Sequence, residues 1–328
     1  ISVYMIVTCT RNLVEVELEP VSLLIADFDN QKGDPLFDGS LEQALNIGLE
    51  GSPFITAYAR PSAARVLESL KPGSQLDSVG AQLVSIREGI KLVVSGSLQA
   101  DGDGYELKAQ IINSEDGEVL AESSVDAKGK IDVLAAIGVL ADNIREELGD
   151  KSIDDGDRPL GETFTAGSLE AVKHYTKAQN LAASARWDEA ITFYEQAIAA
   201  DGDFGRAYSG WALALFSLGR VEEAEALWER ALNEMDTMSD RERLRTLGLY
   251  YVAIAGDYPK AVESYEALVE KYPADNTGHN NKAIAYYYML DFKKAMDSAG
   301  EGLKIYPVSY THLTLPTNVQ QCRSRWSP

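Results

Sequence analysis

The sequence predicts a two-domain chain: a small mixed-sheet α/β domain followed by an all-α helical-repeat solenoid. Three observations lead there. Small-aromatic-small landmarks recur between Glu170 and Pro307 at Ala190, Tyr194, Ala197; at Ala224, Trp228, Ala231; at Ala261, Tyr265, Leu268; and at Ala295, Ala299, Gly302. Residues 21–149 instead alternate short apolar runs with amphipathic stretches. Between the two regions, 150–167 is rich in Asp, Gly and Pro and reads as a solvated linker.

Taken in order, 1–20 open with ISVYMIVTC, which is uncharged and apolar but too short to cross a bilayer, since a span needs about 20 residues. It is read as the tail of a truncated membrane span, the alternatives being an ordinary strand or a piece of signal peptide with Cys9 as a lipid site, and 12–20 as a charged linker. Ile1 in place of a start methionine marks a fragment. Val21–Phe28 reads as a buried strand. Ser40, with Gln43 three residues on, predicts a capping box opening a helix over Leu41–Leu49. Phe54–Ala59 predicts a strand, and Arg60–Leu70 and Val79–Glu88 predict helices. Lys91–Leu98, Tyr105–Asn113 and Val119–Val125 form a meander whose turns carry Asp-Gly pairs, a strong hairpin signal. Ile131–Leu148 is a long amphipathic helix. The order β-α-β-α-α-β-β-β-α gives a mixed sheet.

Ser168 is expected to cap the first helix of the solenoid. Repeats are read at 171–204, 205–238, 242–275 and 276–307. The landmark spacing is 34 residues except for a 37-residue step from the second to the third, with the extra length near Ser239–Arg241. Small residues let paired helices approach, and the aromatic four residues on shares their face. After Pro307 the pattern breaks. Residues 308–328 resemble translated sequencing-adapter read-through and are excluded from fold reasoning.

The 34-residue period with these landmarks resembles the tetratricopeptide repeat, two antiparallel helices per unit. Upstream, ADFDNQKGDPLFDGSLEQAL (Ala26–Leu45) and GIKLVVSGSLQADGDGYELKAQIINSEDGEVLAES (Gly89–Ser123) resemble the N-terminal domain of the translocation protein TolB. RERLRTLGLYY (Arg241–Tyr251) and PADNTGHNNKAIAYYYMLDF (Pro273–Phe292) are similar to the C-terminal region of bacterial receptor-type Ser/Thr kinases. That resemblance implies a membrane-anchored signalling protein with its effector upstream and this region in the cell envelope, on the extracytoplasmic side of the inner membrane.

Chemistry is sparse. The chain has 51 acidic and 30 basic residues, a formal net charge of −21, which argues against nucleic acid and anionic membranes as partners. No Gly-rich phosphate loop, HRD-type loop or DFG motif is present. His174 and His279 hold equivalent positions in distant repeats and read as packing residues; with Cys9 the lone cysteine ahead of the tail, a zinc site is not expected. Asp101-Gly-Asp103-Gly lacks the remainder of a calcium loop and reads as a hairpin turn. Asp27, Asp29, Asp34 and Asp38 form an acidic loop at a strand's carboxyl end, where α/β sheets place ligands. No catalytic residue, metal or cofactor is assigned.

The expected function is therefore non-catalytic. A solenoid of helix pairs lines its concave face with the first helix of each pair. The groove positions are Tyr175, Gln179, Arg206, Phe216, Arg243, Tyr250, Asn280, Tyr287 and Tyr288, rich in the residue types of binding hot spots. A protein or peptide docks there, and an array without a polar cap is expected to self-associate. The alternatives are a free-standing periplasmic scaffold and an α/β domain that binds a small ligand or acts as an enzyme.

Overall fold

The computed structural model describes residues 19–31, 33–150 and 166–305. The readings of Ile1–Cys9 as a span, of most of the linker and of the tail lie outside the described residues. Among the described residues no helix is long and apolar enough to cross a membrane.

Strand β1 (Val21–Ile25) is the apolar run of the N-terminal domain and lies between β3 (Ile55–Ala57) and β4 (Leu92–Asp101), parallel to both. The sheet order is β3-β1-β4-β5-β6, with β5 (Gly104–Asn113) and β6 (Val119–Ala127) completing an antiparallel meander. The Asp-Gly turns behave as predicted, with Gly102 and Gly117 at positive φ. β1 is shorter than expected. The chain leaves the strand after Ile25, and Asp29–Asn30 pair separately with β4 as the short β2. Phe28 then packs so tightly on Gly96 that a Cβ there would lie 2.3 Å from its ring.

Helices α1 (Ser40–Leu49) and α4 (Val133–Glu147) cover one face of the sheet, burying Leu41, Leu45, Ile137 and Leu140 against Leu23, Ile25, Val94 and Leu107. Helices α2 (Arg60–Leu70) and α3 (Ser78–Glu88) cover the other face at β1 and β4. The expected capping box at Ser40 is absent. Ser40 is the first helical residue, Gly39 precedes it in the left-handed region, and the Ser40 hydroxyl donates backwards to the Leu36 carbonyl. The serine thus satisfies a carbonyl of the incoming turn, not an N–H of the helix.

Among the described residues the solenoid has four helix pairs: α5 (Leu169–Ala183) with α6 (Trp187–Ala200), α7 (Gly205–Ser217) with α8 (Val221–Asn233), α9 (Asp240–Tyr250) with α10 (Tyr258–Lys271), and α11 (Asn276–Tyr288) with α12 (Phe292–Ile305). Ser168 caps α5 as predicted, accepting from the Ala171 N–H at 3.1 Å. The turn inside each pair passes through positive φ at Ala185, Gly219, Gly256 and Leu290. The longer third repeat absorbs only part of its extra length ahead of α9. The rest widens the end of that helix into a π-helical turn over Tyr251–Ala255. The core under α1 and α4 continues without a break into Leu169, Val172, Tyr175 and the first two helix pairs, so the domains share one apolar core.

Candidate functional site

The two domains meet where the sequence places an open groove. The last turn of α1 and the loop Glu50–Phe54 enter the concave side of the repeats. The Glu50 carboxylate accepts from Arg206 Nη2 at 2.6 Å and from Arg245 Nη1 at 3.1 Å, and its backbone carbonyl accepts from Arg241 Nη1 at 2.7 Å. Further carboxylates complete the cluster. Arg206 Nε contacts Glu242 at 2.5 Å, while Arg241 and Arg245 both reach Asp275 Oδ2, at 2.8 and 2.7 Å. The Arg241 guanidinium also lies over the Tyr272 ring, 4.8 Å from its centroid. The Pro53 carbonyl accepts from the Ala274 N–H at 3.4 Å.

Local sequence explains this convergence. Arg241 and Arg245 are one turn apart on α9 and share a face. Ser239 and Glu242 form a capping box that fixes where α9 begins. Asp275 caps α11, accepting from Gly278 N at 2.7 Å with one oxygen and holding the arginines with the other. Burial alone would raise the Glu50 carboxyl; Arg245, Arg206 and Arg241 outweigh it and hold the group far below the usual carboxylate range. Asp275 is likewise lowered, its burial overcome by Arg245 and Arg241. Three guanidiniums and three carboxylates make the cluster formally neutral, the condition under which charges tolerate burial.

Beside the cluster a cleft of about 460 Å³ remains open between the domains. Its floor is the carboxyl end of β1 and β3 with the first turn of α2 (Ile25, Ala57, Arg60, Ser62); its walls are α1 (Gln43, Asn46) and the repeats (Gln179, Asn180, Ser209, Leu213, Leu249, Asn276). β1 is the switch point of the parallel strands, because the chain crosses to β3 on one side and then to β4 on the other; crevices of α/β sheets form there. The cation at the mouth is engaged, since Arg60 donates to the Ile25 carbonyl at 2.7 Å and pairs with Asp27. Nearby, Glu42 is buried and accepts from the Phe28 N–H at 2.7 Å; burial raises its carboxyl against the pull of Arg60.

Of the nine groove positions read from sequence, the cleft gathers Tyr175, Gln179 and Arg206. Two of them are not free hot spots. Tyr175 is buried between Tyr194 and Phe204, and burial pushes its hydroxyl up to about 12. Arg206 is spent on Glu50 and Glu242. The α/β domain covers both, a contact between distant segments that no local pattern announces. Gln179 donates to the Tyr194 hydroxyl at 2.9 Å. Phe216 packs half-buried on the core, Arg243 pairs with Asp240, and Tyr250 meets Trp228 edge-on at 6.5 Å. Asn280 bonds to Asn281. Tyr287 and Tyr288 join a separate aromatic cluster with Tyr258 and Phe292. Sequence reasoning missed Glu50, Arg241, Arg245 and Asp275. The arginine pair one turn apart was the available signal.

The remaining candidates are also engaged. Asp34 pairs with Lys130 at 2.5 Å, Asp38 accepts from Asn30 at 2.8 Å and Asp29 from Gln31 at 3.0 Å. Among the described residues no three of His, Cys, Asp and Glu gather as a metal site. His174 stacks on Phe193, while His279 is buried against the Pro273 carbonyl at 3.1 Å, with burial lowering its pKa.

Two models of the tetratricopeptide repeat match the chain, over residues 181–247 and 246–275. No curated protein matches. Among solved structures, the LpoB C-terminal domain from Salmonella enterica is similar at 14% identity and a TM-score of 0.31, over 34% of this chain and 87% of that one. The LpoB C-terminal domain from Escherichia coli is similar at 15% identity and a TM-score of 0.30, over 33% and 82%. TolB from Acinetobacter baumannii is similar at 17% identity and a TM-score of 0.29, over 40% of this chain and 29% of TolB, so the chain spans under a third of that protein.

Proposed function

We propose that this chain, which carries tetratricopeptide repeats, is a non-catalytic interaction module whose binding site is the cleft between its two domains, and that it takes an extended, uncharged segment of a partner protein. The composition of the cleft carries this reading. Gln43 and Asn46 on one wall and Asn180 on the other each carry an amide with a donor and an acceptor, the pattern a peptide backbone presents, and beside them Gln179, whose amide N–H donates to Tyr194, adds its carbonyl. The ionic groups are already paired with one another, so a charged ligand finds no counter-ion. Leu213, Leu249 and Ala57 leave an apolar patch for one side chain. The aromatic residues lining the cleft, Tyr58 and Tyr175, are buried and present no ring face on which a base or sugar could stack.

A peptide screen by fluorescence anisotropy tests this, followed by Asn46→Lys on one wall and Asn180→Lys on the other. Each substitution is expected to weaken a hit about tenfold or more, the range for losing a buried hydrogen-bonded contact. Hits that ignore both substitutions overturn the reading. The position of the cleft at the carboxyl ends of β1 and β3 supports a second reading, a small-molecule ligand. A thermal shift with small metabolites in the absence of any peptide hit would favour it.

The setting we propose rests on the sequence resemblances: the extracytoplasmic part of a membrane-anchored bacterial signalling protein with a Ser/Thr kinase upstream. Sequencing the gene upstream of Ile1 decides it, because a start codon without kinase motifs removes the kinase.

A further inference from the structure

The sheet ends on β6, a nine-residue strand with β5 on one side and no strand on the other among the described residues. Edges of this length are normally blunted by Pro, by charged side chains, Lys above all, by bulges or by a covering loop, because their free N–H and C=O groups template further pairing. The strand VLAESSVDA has neither Pro nor Lys; its charges are Glu122 and Asp126, and its bulge lies near one end, which leaves 121–127 regular. Its surroundings are also unusually apolar. Val119 and Leu120 at one end are 44% and 52% exposed, and Ile131 just beyond the other end is 90% exposed. Val139, 51% exposed, lies one turn from Asn143, whose side chain donates to Ser123 Oγ at 2.8 Å, so it flanks the same edge.

We infer that β6 is a homodimer interface, with a second copy of this chain adding its own β6 antiparallel about a two-fold axis at Ser123. The sequence is self-complementary in that register. Ala121 faces Val125, Glu122 faces Ser124, and Ser123 faces itself. Leu120 falls opposite Asp126 where the bulge ends the regular pairing, and past it Lys128 comes to the strand end that carries Glu118 of the other copy, twice by symmetry. Moving the axis to Glu122 opposes two glutamates, and moving it to Ser124 opposes Glu122 with Asp126; like charges directly opposite are destabilising. The β-bulge at Leu120 limits the regular pairing to the central residues and turns Val119 and Leu120 towards the Ile131 end of the partner strand. The same patch meets itself, as a two-fold contact requires. This interface is separate from the cleft and does not depend on it.

Cysteine cross-linking of the full chain tests the register. In a background with Cys9 and Cys322 changed to Ser, Ser123→Cys places two thiols on directly opposed residues, about 4.5–5.5 Å apart at Cα, within disulfide reach. Leu120→Cys places its two thiols about six strand positions apart, roughly 20 Å, out of reach. The expected result is a covalent dimer with Ser123→Cys, about tenfold above Leu120→Cys under mild oxidation. Sedimentation velocity of the unmodified chain should show a concentration-dependent dimer that Val139→Glu weakens and added salt strengthens, because salt screens the net negative charge. A chain that stays monomeric, or a dimer that cross-links equally at both positions, overturns the proposal. So does an edge occupied instead by a segment of a different protein.

Discussion

Replacing Glu50 with Gln keeps the shape of the side chain and removes one negative charge from the centre of the inter-domain cluster. Arg206 keeps Glu242 and Arg245 keeps Asp275, but the buried group becomes net positive, and both charge-assisted bonds to Glu50 are weakened. Breaking a buried ion pair by removing one partner costs about 3–5 kcal/mol. At about 2–4 °C per kcal/mol for domains of this size, the melting temperature should fall by about 6–20 °C. The more diagnostic quantity is where the loss appears. Glu50 belongs to the α/β domain, whereas three of the four tryptophans, Trp187, Trp211 and Trp228, belong to the repeats. Tryptophan fluorescence during urea unfolding therefore reports the domain that was not mutated. The expected outcome is a lower fluorescence midpoint, matched by faster amide exchange in β4 and β5. A repeat midpoint that stays in place while the sheet alone loosens would refute the claim that the cluster couples the domains. So would a total loss below about 1 kcal/mol, the range of an exposed pair.

Three further outcomes follow from single contacts. Gly248→Ala should destabilise by about 1–3 kcal/mol in urea titration, because the new Cβ would lie 2.4 Å from the Tyr265 ring in a packed core, although helix propensity alone favours Ala by about 1 kcal/mol. Leu290→Gly should stabilise by about 0.5–1 kcal/mol in the same assay. Leu290 is 72% exposed at φ 61°, in the turn position that Gly219 and Gly256 fill in other repeats. The acid limb of stability should also shift. Glu50 and Asp275 are ionised in the fold at pH values where the unfolded chain is protonated, so their contribution is present above about pH 4.5 and is lost as pH falls below it. Glu50→Gln should flatten that limb, and an acid titration unchanged by the substitution would count against the ionic assignment.

Elements formed by local pattern were readable in the sequence. The landmarks of the first three repeats are core residues: Ala190, Tyr194, Ala224, Trp228, Ala261 and Tyr265 are all buried, because a small residue and an aromatic one turn apart are what helix pairs need in order to stack, whereas in the fourth Gly302 is buried and Ala295 and Ala299 are only half-buried. The meander was readable from its Asp-Gly turns. The contact between the domains was not. Arg206 looked like a hot spot because Arg on a concave helix face usually waits for a partner, and nothing local to α7 says that its partner is Glu50, far upstream in sequence. Gly48 and Gly51 do not announce it either, because both make room for α4 inside the α/β domain. A Cβ at Gly48 would lie 2.5 Å from Ala141, and one at Gly51 would lie 2.7 Å from Arg145, so this turn of α1 is built for close approach. In isolation, though, each glycine reads as an ordinary helix end.

The buried cluster changes what the repeats can do. An isolated array offers its whole concave face to a partner, but here the loop after α1 occupies the middle of that face and carries a carboxylate that groove arginines hold. The α/β domain thus behaves as a ligand in cis, and its hold on the repeats is reinforced by the continuous core through Leu41, Val172 and Tyr175. In the binding mode proposed above, a partner does not need to displace it. The open volume lies beside the cluster, where both domains contribute amide side chains, so recognition there depends on the angle at which the domains meet. The Glu50 carboxylate helps to set that angle from the edge of the cleft, where Arg206 and Arg245 engage both of its oxygens. A peptide that binds the cleft as proposed should therefore lose affinity on Glu50→Gln, and a peptide that binds unchanged would show that one wall of the cleft suffices.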